Sequence, residues 1–299
     1  MTIAFALPGV HSGPHDLKLG MAGPASAVAQ VTGALAQNAP GAFEPVTYAD
    51  EAAVRSAITS RKIHGGIVVG QTGPKVLIAS AGGTPIATVL RTVAANLGQS
   101  TGTTIPVEDV VPYRAQDPNG AGLASVALPL SIGGIIPAVI LLQLFTRSLA
   151  LRLAGAIAFA LVAAFFVIAI LTFWTHTIGG SYVLTSLVFA LGISAITLVA
   201  LGLESLVGLP GLGLIAILMI FVANPLSGLA TAPAWLPSPW GAIGQLMPPG
   251  ASGTALRSFG FFDGQGAGAQ LVTLAAWAVA GLALAALGAR RTTAPEPAA

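Results

Sequence analysis

The sequence contains no cysteine and few charged side chains, and both absences restrict what the protein can be. Without cysteine there is no disulfide framework, and thiolate chemistry at a metal or redox centre is excluded. Charged residues make up 7% of the 299-residue chain, whereas soluble domains carry about 25%. Hydrophobic residues make up 55%. This composition predicts an integral membrane protein.

The few charges are unevenly distributed along the chain. Residues 1–122 contain seven basic and seven acidic side chains, so this part is neutral and gives no reason to expect a nucleic-acid partner. From residue 123 to residue 289 there are only five formal charges: Arg147, Arg152, Glu204, Arg257 and Asp263. This drop in the density of charged residues predicts a water-soluble domain over residues 1–122, a helical membrane domain over 123–291 and a short tail over 292–299.

Long apolar stretches fill the second part. About 20 apolar residues are needed to cross the hydrocarbon core of a bilayer. Four stretches meet this requirement: Leu123–Thr146, Leu153–Trp174, Tyr182–Leu203 and Gly268–Ala289. A shorter one, Leu206–Ala223, contains Pro210 and ends at Asn224-Pro225, where the missing proline N–H breaks a helix. We expect it to be a fifth span that is tilted, broken or only partly crossing.

The arginines predict the orientation of these spans. Arg147 and Arg152 flank the first short loop, and Arg290 and Arg291 follow the last span. The positive-inside rule places both pairs in the cytoplasm. Five spans in the plasma membrane then put residues 1–122 outside the cell and the C-terminus inside. The same topology puts three tryptophans at the outer boundary, where indole rings are favoured: Trp174, Trp235 and Trp240.

An outside domain must be translocated, and the first residues are too short for a secretory signal. One hypothesis is that Ile3–Leu7 is the end of an upstream helix. The alternative is that the first span acts as a reverse signal anchor and translocates what precedes it.

Residues 1–122 alternate short apolar runs with helical ones, which predicts a small α/β domain with a mixed sheet. The expected strands are Leu17–Ala22, Phe43–Tyr48, Gly66–Val69, Lys75–Ala81 and Ile105–Tyr113. The expected helices are 25–36, Glu51–Lys62 and 84–97, with Asp50 as an N-cap of the second.

No pattern in this domain predicts catalysis. His11, His15 and His64 lack metal-ligand spacing, and Gly70–Lys75 lacks the Gly-Lys-Ser/Thr end of a phosphate-binding loop. There is also no Gly-x-Ser-x-Gly nucleophile motif. We therefore expect no enzyme activity, no cofactor and no catalytic residue on this chain.

The segment 224–264 is too rich in proline to span a membrane and too apolar for an ordinary loop. We expect a re-entrant segment at the outer surface, with a short helix over Ala242–Met247, a corner at Pro248–Gly250 and a second helix over Thr254–Phe262. It serves either as a gate or as a structural cap over the bundle. The candidate gate residues are Asn224, Pro225, Gln245, Pro248, Pro249 and Arg257, with Arg257 extending outward.

The order of these parts resembles the permease subunits of type-2 ABC exporters, most closely the actinobacterial relatives of the phage-infection-protein group. The resemblance rests on Asn224-Pro225-Leu226-Ser227-Gly228, on Gln245-Leu-Met-Pro248-Pro249-Gly250 and on Pro14-His15-Asp16. Those permeases generally have six spans, with the outside domain inserted after the first. The resemblance covers nearly the whole chain except that first helix.

The resemblance implies that the chain forms a translocation path as a homodimer or heterodimer in contact with membrane lipid. A separate ATP-binding subunit would drive export of a lipid-like, peptide or drug-like substrate. The cytoplasmic turns that would face this subunit carry Arg147, Arg152 and Glu204. The alternative function is a membrane-anchored outside module for binding or envelope assembly, without transport.

Overall fold

The structure is a computed structural model that describes residues 12–71 and 73–292. Ile3–Leu7 and His11 lie outside the described residues, as does the predicted tail after Thr292, so the predictions for them stay predictions.

The N-terminal part is the predicted α/β domain. Its elements are β1 (Leu17–Ala22), α1 (Ala25–Asn38), β2 (Phe43–Thr47), α2 (Glu51–Thr59), β3 (Gly65–Gly70), β4 (Gly73–Ile78), α3 (Thr84–Thr101) and β5 (Val107–Asp109). Asp50 caps α2, as predicted, because its Oδ1 accepts a hydrogen bond from the Ala53 N–H at 2.8 Å. The last strand is shorter than the predicted Ile105–Tyr113, and α2 ends before Lys62.

The five strands form one mixed sheet in the order β2-β1-β3-β4-β5. β3 and β4 pair antiparallel, and every other neighbouring pair is parallel. Side chains alternate between the two faces of a strand, so each face has its own core. Leu19, Ile67 and Val76 pack with α1 and α3 on one face. Val68 and Leu77 pack on the opposite face, in the core to which α2 contributes.

Four helical stretches of the described chain are long and apolar enough to cross a membrane: Ala121–Leu144, Leu149–Trp174, Tyr182–Val207 and Gly268–Arg291. The first consists of α4 (Ala121–Ser125) and α5 (Ala127–Leu144), and the second of α6 (Leu149–Ala169) and a π-helical turn (Ile170–Trp174). The third is α7 (Tyr182–Val207), and the last lies within α11 (Gly268–Thr292).

The fifth stretch is α8 (Leu209–Ile217) with the π-helical turn Leu218–Ala223, and it is shorter than the other four. Its 15 residues rise about 22 Å at 1.5 Å per residue, less than the hydrocarbon thickness of about 30 Å. The expectation of a fifth span that is tilted, broken or only partly crossing therefore stays a prediction.

Helix α7 is the centre of the bundle. Of its apolar stretch 78% is buried, against 22% for α11, so α11 presents most of its surface to the surroundings. α7 and α11 approach closely at two glycines. A Cβ at Gly281 would lie 2.5 Å from the carbonyl carbon of Leu198, and one at Gly202 would lie 2.5 Å from the oxygen of Gly281. Such small residues let two helix backbones come together.

The bundle has two chemically different ends. At one end Arg152 Nη1 lies 3.4 Å from Glu204 Oε2. Arg152 also bonds to the turn that contains Arg147. The end of α11 lies at this end too, because Gly288 contacts Ser205 of α7. At the other end the α/β domain meets the start of the membrane helices, where Gly122 contacts Thr177 of the loop before α7.

The segment 224–264 lies at the α/β end and differs from its prediction in its helix bounds and in the position of Arg257. It contains α9 (Trp240–Gln245), which starts two residues before the predicted Ala242, and α10 (Pro248–Phe261), which starts six residues before the expected Thr254. Pro248 and Pro249 form its first turn, where a missing N–H costs nothing. The second correction concerns Arg257, which is 1% exposed and does not extend outward, because α10 is buried on nearly all sides.

Candidate functional site between the α/β domain and the bundle

Helix α10 is enclosed between the membrane helices and the α/β domain. Towards the bundle, Ser252 packs against Gly192 of α7. Towards the α/β domain, the neighbouring Phe262 belongs to the core of the α2 face, together with Ala81. Ala232, from the chain before α9, belongs to the opposite α/β core. Segment 224–264 therefore completes both cores of the domain.

Arg257 is the largest fully buried side chain of the described residues. Its Nη2 donates a hydrogen bond to the Leu229 carbonyl at 2.7 Å, and the Tyr113 hydroxyl lies near the guanidinium, while Nε and Nη1 make no hydrogen bond of normal geometry. None of the ion pairs in the described part of the chain includes it. A buried charge without a counter-ion is destabilising by several kcal/mol in general, at about the scale of breaking a buried ion pair.

Arg61 brings a second positive charge to this region from the α/β side. It follows the C-terminal end of α2 with φ +59°, a left-handed conformation usually occupied by glycine or asparagine at that position. Its Nη1 donates to the Thr254 carbonyl at 3.1 Å and to Ser258 Oγ at 2.5 Å. Burial and the charge of Arg257 lower the pKa of Arg61 to about 10, so it stays charged at neutral pH.

A cavity of about 180 Å³ lies between the sheet and the start of α11. Its polar lining comes from Arg61, His64, Gln245 and Gln270, and its walls are apolar. The apolar lining residues are Ile58, Ile63, Ala79, Gly82, Ile86, Ala232, Pro233, Ala234 and Phe262. A mostly apolar cavity with a few convergent polar groups has the composition of a ligand site.

His64 is neutral in this setting. Burial and the charges of Arg61 and Lys18 lower the pKa of its imidazole to about 4. At neutral pH the ring therefore has one N–H donor and one acceptor nitrogen.

Four uncharged polar side chains near α10 also have buried oxygens without a hydrogen-bond partner in the described structure: Gln245, Ser252, Thr254 and Gln270. Two of them, Gln245 and Gln270, line the cavity. The amide nitrogen of Gln245 is engaged, since it donates to the Ser227 carbonyl at 3.2 Å. Buried polar atoms are normally satisfied, so this concentration marks a place where a further polar group fits.

At the opposite end, Arg152 connects the turn before α6 to the end of α7. Besides its contact with Glu204, its Nε donates to the Phe145 carbonyl at 2.7 Å and its Nη2 donates to the Thr146 carbonyl at 2.9 Å. Arg147 lies in the same turn and is exposed. The structure thus brings the three predicted cytoplasmic residues to one end of the bundle.

The predicted gate residues occupy different places. The Asn224 N–H donates to the Met219 carbonyl at 3.0 Å, and Pro225 opens a 3₁₀ turn, so both belong to the end of the shorter stretch Leu209–Ala223. Gln245 lines the cavity, whereas Arg257 is buried within α10 and donates to the Leu229 carbonyl. Trp174 and Trp240 are exposed at the α/β end, whereas Trp235 packs partly buried against the α/β core.

The sequence patterns did not single out Arg61 or Gln270, and for His64 they indicated only a lack of metal-ligand spacing. Nothing in the local sequence distinguishes Arg61 from the adjacent Lys62. Among the described residues, no group of three histidine, aspartate or glutamate side chains is placed to hold a metal ion. Comparison of the chain with protein-family models, with curated proteins and with solved structures found no match.

Proposed function

We propose that this chain is the permease subunit of an ABC-type exporter in the plasma membrane. In this proposal it moves a lipid-like, peptide or drug-like substrate outward as a homodimer or heterodimer, and a separate ATP-binding subunit supplies the energy. The α/β domain lies outside the cell, and the Arg152–Glu204 end lies in the cytoplasm.

The observation that carries the proposal is the burial of α10 within the broken segment 224–264. Interrupted backbone at membrane depth is tolerated only inside protein or beside a water-filled cavity. Here it contacts the central helix α7 on one side and the α/β domain on the other. An element that connects an outside domain to the core of a bundle is suited to open or close a path when that domain moves.

The distribution of charge supports the orientation. Arg147, Arg152, Arg290 and Arg291 lie towards the end opposite the α/β domain, which agrees with the positive-inside rule if that end is cytoplasmic. The turn over residues 145–152 is held by the three contacts of Arg152, so the exposed Arg147 is displayed on a fixed surface. A fixed basic turn is suited to dock a second protein.

Co-purification tests the proposal. The chain, expressed in its native host with any upstream coding sequence restored, is extracted in mild detergent, and its stoichiometric partners are identified by mass spectrometry. We expect an ATPase with Walker motifs at about one copy per permease. The Arg147→Glu variant should lose this partner, whereas Lys62→Glu, an equal charge reversal on the α/β domain, should keep it.

A second candidate function is a membrane-anchored binding or assembly module without transport. The cavity lined by Arg61 and Gln270 favours the binding module, because a protein that only binds a ligand needs no ATPase to supply energy. Absence of an ATPase, under conditions in which a control exporter keeps its own, would reject the permease proposal and favour the module.

A further inference from the structure

The cavity between the α/β domain and α11 has an excess of positive charge that its surroundings do not neutralise. Arg61 lines it, and burial together with the nearby charge of Arg257 lowers the pKa of Arg61. Neither arginine belongs to an ion pair in the part of the chain that the structure describes. Two neighbouring cations in a largely apolar setting repel each other, and an anion placed between them and the solvent would relieve that repulsion.

The position of Arg61 adds a second argument. Its left-handed backbone is a conformation in which glycine or asparagine costs less than a long side chain. The conformation nevertheless directs the guanidinium to Thr254 and Ser258 of α10. Each planar guanidinium has five N–H donors, and one Arg61 nitrogen makes both of these bonds, so donor capacity is left for a ligand.

The remaining polar groups specify more than a bare anion. The Oε1 atoms of Gln245 and Gln270 are buried and accept no hydrogen bond in the described structure. Such oxygens repel an anion but accept from an O–H or N–H group. A ligand that satisfies the whole lining therefore has an anionic group for Arg61 and at least one donor group for the glutamines.

The volume limits the size of what can enter. The cavity of about 180 Å³ is below the range of about 300 to 1,000 Å³ that is typical of drug-sized ligand sites. It corresponds to the liquid volume of about six water molecules. A polar head group of roughly that bulk fits, and a whole lipid or drug does not.

We infer that this cavity binds the phosphate or carboxylate of a small hydroxylated or amine-bearing group, either as a free solute or as the head group of a membrane lipid. Arg61 holds the anionic group, and Gln270 and Gln245 accept hydrogen bonds from the donors. The apolar wall around Ile86 and Phe262 surrounds the remaining atoms. The inference holds for a transporter and for a binding module alike, since it concerns occupancy of the cavity and not energy coupling.

Glycerol phosphate is a suitable probe, because it combines a phosphate with hydroxyl donors at the right size. The full chain is reconstituted in nanodiscs of phosphatidylcholine, and glycerol phosphate is titrated by calorimetry, with glycerol as the uncharged control probe. A second set of nanodiscs contains phosphatidylglycerol, whose head group has the same chemistry. Saturable binding in the first set identifies a free solute; bound phosphatidylglycerol in the second, detected by native mass spectrometry, identifies a lipid.

The matched variants are Arg61→Asn and Lys62→Asn. Asparagine tolerates the left-handed backbone of position 61, so the first variant removes the charge with little change in backbone conformation. Lys62 is exposed and is the next residue, so the second removes an equal charge outside the cavity. We expect at least a tenfold loss of affinity for Arg61→Asn and a change of less than twofold for Lys62→Asn.

Gln270→Leu is the second variant, and it separates binding from folding. It removes a buried oxygen that has no partner, so the unfolding temperature should stay the same or rise. Affinity should nevertheless fall severalfold. Equal affinity of the wild type, Arg61→Asn and Gln270→Leu would overturn the inference, and so would the absence of specific binding in both nanodisc sets.

Discussion

The guanidinium of Arg61 and the hydroxyl of Ser258 are 2.5 Å apart, although 197 positions separate them in the chain. The same arginine nitrogen also bonds to the Thr254 carbonyl, and the Arg61 side chain lies over the Phe262 ring at 5.1 Å. These contacts attach the α/β domain directly to α10. Any rotation of the domain relative to the membrane helices must therefore move α10 or break this attachment.

The buried guanidinium of Arg257, which belongs to no ion pair among the described residues, gives the first prediction. Replacing a buried charge with an apolar side chain of similar length removes an uncompensated desolvation cost. We expect Arg257→Met to leave the thermal unfolding temperature in detergent unchanged or to raise it, although the bond to Leu229 is lost. Arg91→Met, at a half-exposed position, is the control and should shift stability by less than about 0.5 kcal/mol. A clear loss of stability in Arg257→Met would show that its one hydrogen bond outweighs the cost of burial.

His64 gives a prediction about pH. Its pKa is about 4 in the folded protein and about 6.5 in an unfolded chain, so the unfolded state binds the extra proton between these values. The free energy of unfolding therefore has its full value above pH 6.5, where His64 is neutral in both states, and it decreases as the pH falls towards 4. We expect the stability difference between the wild type and His64→Gln to change by about 3 kcal/mol over this range. Parallel pH profiles of the two proteins would contradict the prediction.

The close contact between α7 and α11 gives a prediction about packing. A leucine at Gly281 would overlap the backbone at Leu198 and Val199, so the two helices must separate. We expect Gly281→Leu to lower the free energy of unfolding by about 1 to 3 kcal/mol. Gly213→Leu is the matched control, because a Cβ there meets nothing within 4 Å in the described structure. Equal stability of the two variants would mean that the helices adapt without cost.

The absence of cysteine makes the proposed orientation directly testable. Single cysteines are introduced at three exposed positions: Lys62, Arg147 and Ala242. In intact cells we expect a membrane-impermeant maleimide to label Lys62→Cys and Ala242→Cys but not Arg147→Cys, which should react only after permeabilisation. Labelling of Arg147→Cys in intact cells would reverse the proposed topology. Protection of Ala242→Cys alone would mean that Leu209–Ala223 does not carry the chain across.

The secondary structure of the α/β domain could be predicted because its signals are local. The strand Leu17–Ala22 was predicted to the residue, and the Asp50 cap fixed the start of α2. Strand ends such as that of β5 depend on which neighbour is available for pairing, and a sequence does not show this. The start of α10 was missed because Pro248-Pro249 was interpreted as a corner, whereas proline is equally suited to a first helical turn.

The candidate site could not be predicted in the same way, because its members come from distant parts of the chain. Arg61 follows a helix of the soluble domain, Gln245 ends α9 and Gln270 lies in the first turn of α11. Each is an ordinary polar residue in its local context. Their burial, and the lack of hydrogen-bond partners for the two glutamine oxygens, arise only when segment 224–264 packs against the sheet.

The sequence by itself determined that the chain has membrane-length helices and an N-terminal α/β unit, because hydropathy and strand or helix periodicity are properties of consecutive residues. It also determined the charge asymmetry from which the orientation is proposed. Only the tertiary structure decided that Arg257 is buried and that Arg61 bonds to Thr254 and Ser258 of the same helix, α10. The physical reason is that burial of a polar group depends on what packs around it, and here that packing joins residues nearly 200 positions apart.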